Sequence, residues 1–412
     1  MKNDLISLAV AAVFSSVAGT AYAQQSVAPA TGGIALGSAL LYPSVDLTYK
    51  SNDNLFSQPD GPYKKRSDIS VITPAARIEA KSGAHTFSLD ARLEDGTYYS
   101  SKADNYTDFQ MGADAALAFS GATGATDLKL HADFIQGHDE RGAIYGAAIG
   151  SRPSVYQKTG VSGIWGYGTS AASARLELDG GYLNKRYDNN QTITEHSGTR
   201  FEQHDDSRYG ATFYWPLMPK ARLLIHAGQT RYDYNDSVFN SAGLTVRDSV
   251  ETRTMAGVAW EALAATSGTI KIGFVDKDFK NLAAQDYSGS SWDAKVGWMP
   301  LAYSTLDFFT SRKPTEACYG SSTVDTTAGV AWKHAWNDKL SSDLTVGRLR
   351  QDYKGLGFAR LDSTDFVMAK LSYQLQASLK VGLGYTNMNR NSSAAYSDYN
   401  RNVFSISLTG AL

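Results

Sequence analysis

Period-two alternation of apolar and polar residues runs through most of this chain, the signature of strands with two unlike faces. Phe87, Leu89, Ala91 and Leu93 alternate with Ser88, Asp90, Arg92 and Glu94. Leu176 and Leu178 stand against Arg175, Glu177 and Asp179, and Ala221, Leu223 and Ile225 against Arg222 and His226. Trp292, Ala294, Val296 and Trp298 alternate with Asp293, Lys295 and Gly297. Alternation by itself suits both a soluble sandwich and a membrane barrel, because either has one apolar and one polar face.

Connection lengths separate the two. Short links near 81–84, 120–125, 168–170, 216–219, 262–268, 300–303, 337–340 and 375–377 alternate with longer polar stretches near 51–65, 100–105, 137–152, 188–199, 235–244, 281–289, 313–323, 354–361 and 389–399. Short periplasmic turns and long outer loops are the mark of an outer-membrane barrel. The rhythm predicts an all-β, transmembrane, up-and-down antiparallel barrel of about 18 strands, within a range of roughly 16–20. Aromatic residues fall near the short turns (Phe119, Trp165, Trp215, Trp260, Trp298, Trp336, Tyr373) and near the long loops (Tyr49, Tyr98, Tyr187, Tyr232, Phe279, Tyr353, Tyr385). Two interfacial girdles are therefore expected. Phe404, Ile406, Leu408 and Leu412 alternate with Ser405, Ser407 and Thr409. Such a strand resembles the terminal signal read by barrel-insertion machinery, with Leu412 where Phe or Trp is usual.

Three segments follow. Lys2, an apolar run from Leu5 to about Val17 and the Ala21-Tyr22-Ala23 pattern predict a signal peptide over 1–23. Residues 24–40, with Gly32-Gly33, read as a flexible periplasmic lead acting as plug, tether or disordered segment, and 41–412 as the barrel. Beyond the signal no apolar run reaches the roughly 18 residues of a membrane helix. The net charge of −2 argues against a nucleic-acid partner. No metal-binding, phosphate-loop or nucleotide motif is present, so no cofactor is expected. The one cysteine, Cys318, offers no disulfide framework and receives no role.

If the apolar set faces lipid, the opposite set lines the lumen and carries the function. The first half contributes Asp46, Arg77, Glu79, Asp90, Arg92, Glu94, Asp114, Asp133, Arg175, Glu177 and Asp179. The second contributes Arg208, Arg222, Arg253, Lys271, Lys277, Lys295, Lys333, Arg348, Lys370 and Lys380 against Glu251, Asp293 and Asp307. Because successive strands are neighbours, this predicts a mixed-to-acidic wall facing a basic wall, with a transverse field that favours anionic groups. The alternative is that neighbouring charges satisfy one another across strands. Tyr214 and Phe309 also face inward, as sugar-stacking platforms or as plain packing.

The sequence LYPSVDLTYKSNDNLF at 41–56 resembles the first strand and loop of β-barrel porins encoded in capsular and exopolysaccharide operons. The matching positions are Pro43, Tyr49, Asp53, Asn54, Leu55 and Phe56. The resemblance implies a barrel in the outer membrane serving polysaccharide export, working with periplasmic export proteins and offering no catalytic residues to transfer. Asp53-Asn54 has a purely local reading as an Asx turn. Alternatively, Asn54 binds sugar hydroxyls with its amide.

The expected function is an outer-membrane pore for exopolysaccharide or capsular polysaccharide. A general or substrate-specific diffusion porin for small solutes is the alternative, since it needs the same fold and charged lumen. An outer-membrane hydrolase is a third class and is not favoured. Its only support is His204-Asp205-Asp206, without a Gly-x-Ser-x-Gly elbow, and a solvated rim accounts for that cluster.

Overall fold

The computed structural model describes residues 32–121, 124–141, 151–168, 174–193, 198–240, 243–245, 247–263, 265–281, 286–316, 322–355 and 359–412. The expected signal peptide, most of the periplasmic lead and Cys318 lie outside them.

Eighteen long strands form one closed antiparallel barrel. They are β1 (Ala39–Asn52), β2 (Ser67–Ser82), β3 (His85–Tyr98), β4 (Tyr106–Gly121), β5 (Gly124–Asp139), β6 (Ser154–Tyr167), β7 (Arg175–Tyr187), β8 (His204–Met218), β9 (Ala221–Tyr234), β10 (Ser249–Leu263), β11 (Thr266–Phe279), β12 (Tyr287–Leu301), β13 (Ser304–Glu316), β14 (Ser322–Ala335), β15 (Leu340–Lys354), β16 (Leu361–Gln376), β17 (Leu379–Ser392) and β18 (Tyr399–Ala411). Each pairs with the next, and β1 pairs with β18 from Ser44↔Ala411 to Asn52↔Val403. Closure leaves no barrel strand with an unpaired edge, which a lipid environment requires because nothing there can satisfy free backbone groups. The alternation of short turns and longer loops follows the expected rhythm, from the tight β2–β3 turn at Gly83-Ala84 to the 188–203 loop.

Ile34–Leu36 doubles back on Ala39–Leu41 through Gly37, whose φ of +64° suits glycine. Part of the lead is thus a small hairpin, and the first barrel strand starts at Ala39, two residues before the expected position.

The parity of exposure identifies the two faces. Leu47, Ile72, Leu89, Met111, Leu130, Val161, Leu178, Phe213, Ile225, Ile272 and Phe308 are exposed, whereas the alternate positions carry the charged and buried side chains. The first set makes the outer, lipid-facing wall and the second the lumen. Every aromatic of the expected periplasmic girdle lies on the outward face, where Trp215, Trp298, Trp336 and Tyr373 are well exposed. The expected outer girdle is corrected: Tyr98, Tyr187, Phe279 and Tyr353 are buried inside the mouth, and Tyr232 shares their inward parity. Tyr49 and Tyr385 do face outward, and further outward aromatics come from Tyr182, Tyr209, Phe274 and Phe404. The sequence position gave the height of those rings along the barrel, but the face depends on a register that one residue inverts.

Candidate functional site

The lumen of an 18-stranded barrel is wide enough for an aqueous channel, so its function depends on what narrows it. Here two groups of residues fold inward at the outer mouth, from different parts of the wall.

The first belongs to the segment after β1. Asp53 accepts hydrogen bonds from the Asn402 backbone N–H (2.7 Å) and side-chain amide (2.8 Å), tying β1 to β18 at the seam. Asn54 is fully buried. Its Nδ2 donates to the carbonyls of Gln58 (2.7 Å) and Asn400 (2.9 Å), and its Oδ1 accepts the Gln58 N–H (3.0 Å). Leu55 packs on the inward residues Ile69, Val71 and Tyr98, with Phe56 and Tyr106 at the edge. Arg141 stacks on Phe56 at 4.5 Å and grips Asp104 through two bonds of 2.5 and 2.6 Å. Its neighbour Glu140 reaches across to Arg401 on β18 at 3.0 Å. Of the motif residues, Asp53, Asn54 and Leu55 are thus occupied in closing the seam and filling the mouth beside it. Tyr49 is on the outer wall.

The second is the outer end of the β13–β14 hairpin. Glu316, at the end of β13, meets Lys277 of β11 and the hydroxyl of Tyr234 on β9, so it bypasses β12 and leans into the lumen. Lys277 has no exposed surface and lies 3.8 Å over the Tyr232 ring. Arg247, also without exposed surface, stacks on Tyr234 at 4.2 Å and bonds Glu202 at 3.1 Å.

Between this hairpin and the wall of β7–β10 lies a cavity of about 620 Å³. Asp179, Asp206, Arg208, His226, Glu251 and Arg253 line one side, and Ser311, Lys313, Glu316, Asp325, Leu349 and Gln351 the other. Directly on its periplasmic side, Phe309, Gly329, Gly347 and Phe366 stand in register across four strands. The two rings lie over the two glycines so closely that a Cβ at either glycine would sit 2.4 Å from a ring carbon. Phe309 and Phe366 pack with Met388 as an apolar ledge, which makes Phe309 a packing residue. Tyr214 carries Arg222 on its face at 4.5 Å and donates to Glu177 at 3.1 Å.

The register puts Asp90, Arg92, Glu94, Arg175, Glu177, Asp179, Arg208, Arg222, Arg253, Lys271, Lys295, Lys333, Lys370 and Lys380 on the lumenal parity. Many are neutralised locally. Arg77–Glu79 (2.8 Å), Arg92–Glu94 (2.5 Å), Arg175–Glu177 (2.8 Å) and Glu251–Arg253 (2.6 Å) close within single strands. Arg175–Asp127 (2.6 Å), His131–Asp114 (2.7 Å) and Lys271–Asp293 (3.3 Å) close between strands. Lys333, Lys370 and Lys380 have no carboxylate within 4 Å among the described residues, and with Lys295 they occupy the periplasmic half of β12–β17.

Two corrections apply to the expected basic wall. Arg348 faces outward, joined to Asp365 by bonds of 2.5 and 2.8 Å. Asp325 and Asp343 also face inward, Asp343 standing in register with both Lys333 and Lys370 and Asp325 with Lys313 nearer the outer mouth. Both errors arise from taking charge by sequence half without strand register, and together they reduce the cationic excess of that wall. Of the expected His204-Asp205-Asp206 cluster, His204 and Asp206 line the same cavity, with Nε2 and Oδ1 3.7 Å apart, and Asp205 does not join them. Asp205 turns away to Arg186 (2.7 Å), Asn184 (2.6 Å) and Tyr182 (2.9 Å), while the His204 ring nitrogen Nδ1 meets the Glu202 carbonyl at 2.8 Å.

A family model of β-barrel porins matches residues 28–412, which is the whole described barrel. The chain belongs to the family described as "Putative beta-barrel porin 2". It is accordingly a porin-like barrel of the outer membrane. Solved structures with a similar fold include Pseudomonas aeruginosa OpdL, at 13% identity over 92% of this chain and 100% of that one, with a TM-score of 0.47. Pseudomonas aeruginosa OccK1 (OpdK) is 12% identical over 92% of this chain and 100% of that one, at 0.49, and the siderophore receptor PirA from Pseudomonas aeruginosa is 8% identical over 90% and 80%, at 0.43. At such identities the likeness is one of fold alone. No curated protein matches the chain.

Proposed function

We propose that this porin is a selective diffusion channel for small charged solutes. The observation that carries the reading is the obstruction of the outer mouth by ion-paired side chains from well-separated strands, Glu140–Arg401 on one side and Glu316–Lys277 on the other. They leave a cavity of about 620 Å³, within the roughly 300–1,000 Å³ of small-molecule sites. A polymer chain needs an unbroken wide path, and these contacts oppose one. On the periplasmic side, Lys295, Lys333, Lys370 and Lys380 raise the local concentration of anions, and the effect weakens with added salt.

Polysaccharide export rests on the motif at 41–56. Asp53, Asn54 and Leu55 already have structural work at the seam, which leaves that reading without a dedicated sugar-binding group in the motif. The test is solute entry into liposomes holding the purified full chain. Entry of monosaccharide-sized solutes with exclusion of oligosaccharides supports the diffusion channel. Passage of long oligosaccharides, or no passage of any solute by a folded barrel, overturns it.

A further inference from the structure

Acid–base residues two apart on the lumenal wall close onto each other in four places: Arg77–Glu79, Arg92–Glu94, Arg175–Glu177 and Glu251–Arg253, all at 2.5–2.8 Å. Asp206 and Arg208 have the same spacing on β8, face the same cavity, and do not pair. The Asp206 Oδ1 is buried without a hydrogen-bond partner, and the His204 ring nitrogen Nε2 lies 3.7 Å from it. Arg208 is exposed to the lumen with no ion pair among the described residues. Positions two apart on a strand are about 6.6 Å from each other, close enough for the two side chains to meet. Inward glycines flank them: Gly181 lies opposite Arg208, and Gly210 is in register with Gly228. The Arg208 side chain lies over Gly181, where a Cβ would stand 2.9 Å from its Nε, and Asp179 and His226 lie over Gly210. Lys313 adds a second cation from the opposite side of the cavity.

Resting on the diffusion-channel reading, we propose that the open Asp206/Arg208 pair is a recognition site for small zwitterions of the amino-acid type. The ammonium group donates to the Asp206 carboxylate, and the solute's carboxylate accepts from the Arg208 guanidinium with Lys313 nearby. Such a solute supplies both missing partners at once. An anion or a cation alone satisfies one group and faces the opposing charge of the other, which gives discrimination by repulsion as well as attraction. A neutral sugar gains neither charge-assisted bond.

The experiment uses the full chain in liposomes with two uncharged-overall solutes of similar size, L-glutamine and glucose. The wild type is expected to admit L-glutamine faster, with saturation. Asp206→Asn and Arg208→Gln should each slow L-glutamine about tenfold, the loss of one charge-assisted hydrogen bond, with glucose changed by less than about twofold. The exchanged pair D206R/R208D restores part of the L-glutamine rate. Circular dichroism and heat-dependent electrophoretic mobility establish that each variant is folded. Equal slowing of both solutes, or glucose entry equal to L-glutamine entry in the wild type, overturns the zwitterion site while the channel stands. No entry of either solute into liposomes with folded wild type overturns the channel reading itself.

Discussion

The two inward-folded parts of the mouth differ in what they leave behind. Beside the seam, Leu55 fills the space over Ile69, Val71 and Tyr98, and Arg141 caps Phe56, so apolar packing seals that side. At the β13–β14 hairpin, buried ions hold the fold inward and a polar cavity remains beneath. Apolar contacts gain by excluding water and tend to close gaps. Ion pairs fix a few atoms at set distances and allow solvent-filled space around them. The first arrangement suits closure of a barrel, the second a place where solutes stop.

The largest expected effect comes from breaking the second arrangement. Lys277→Met leaves Glu316 buried without its cation, a loss of about 3–5 kcal/mol. The hairpin should swing outward, and single-channel conductance should rise together with sensitivity of the 313–323 region to protease. Leu55→Ala, at the seam, should lower thermal stability by about 2–4 kcal/mol through the cavity it creates. Conductance should change less than in Lys277→Met, and the reverse order would break the contrast drawn between the two regions. Asp53→Ala removes two bonds across the seam and should destabilise by about 1–3 kcal/mol, measured by the midpoint of heat-induced unfolding in detergent. Replacing Lys333, Lys370 and Lys380 together by Gln should lower anion preference in reversal-potential measurements at low salt, with little effect at high salt. The smallest effect belongs to Arg348→Gln, which lies outside the lumen and should leave ion selectivity unchanged.

Much of the architecture was legible in the chain. Alternation, tight turns at sites such as Gly83-Ala84 and long polar loops together imply the strand number, because each is a local property of covalent geometry and solvent preference. The periplasmic girdle was legible for the same reason, since Trp215, Trp298 and Trp336 sit beside short turns, and all three face outward. The outer girdle was not. Tyr98, Tyr187 and Tyr353 are at the expected height but turn inward, where they are buried, Tyr98 against Leu55 and Tyr353 under Arg360. The candidate site was legible only as a list of charges. Arg208 and Arg253 appear equivalent in sequence, yet Arg253 is held by Glu251 and Arg208 stands open beside Asp206.

By itself, the sequence determined the barrel, the approximate strand number and the charged character of the lumen. These follow from period-two chemistry and turn length, which neighbouring residues settle among themselves. Tertiary structure alone decided which charges neutralise one another, which aromatics face lipid and where a cavity survives. Those depend on register and on contacts such as Glu316 with Lys277 and Glu140 with Arg401, which join residues far apart in the chain. A one-residue shift in register would exchange the two faces of a strand while leaving its sequence pattern untouched.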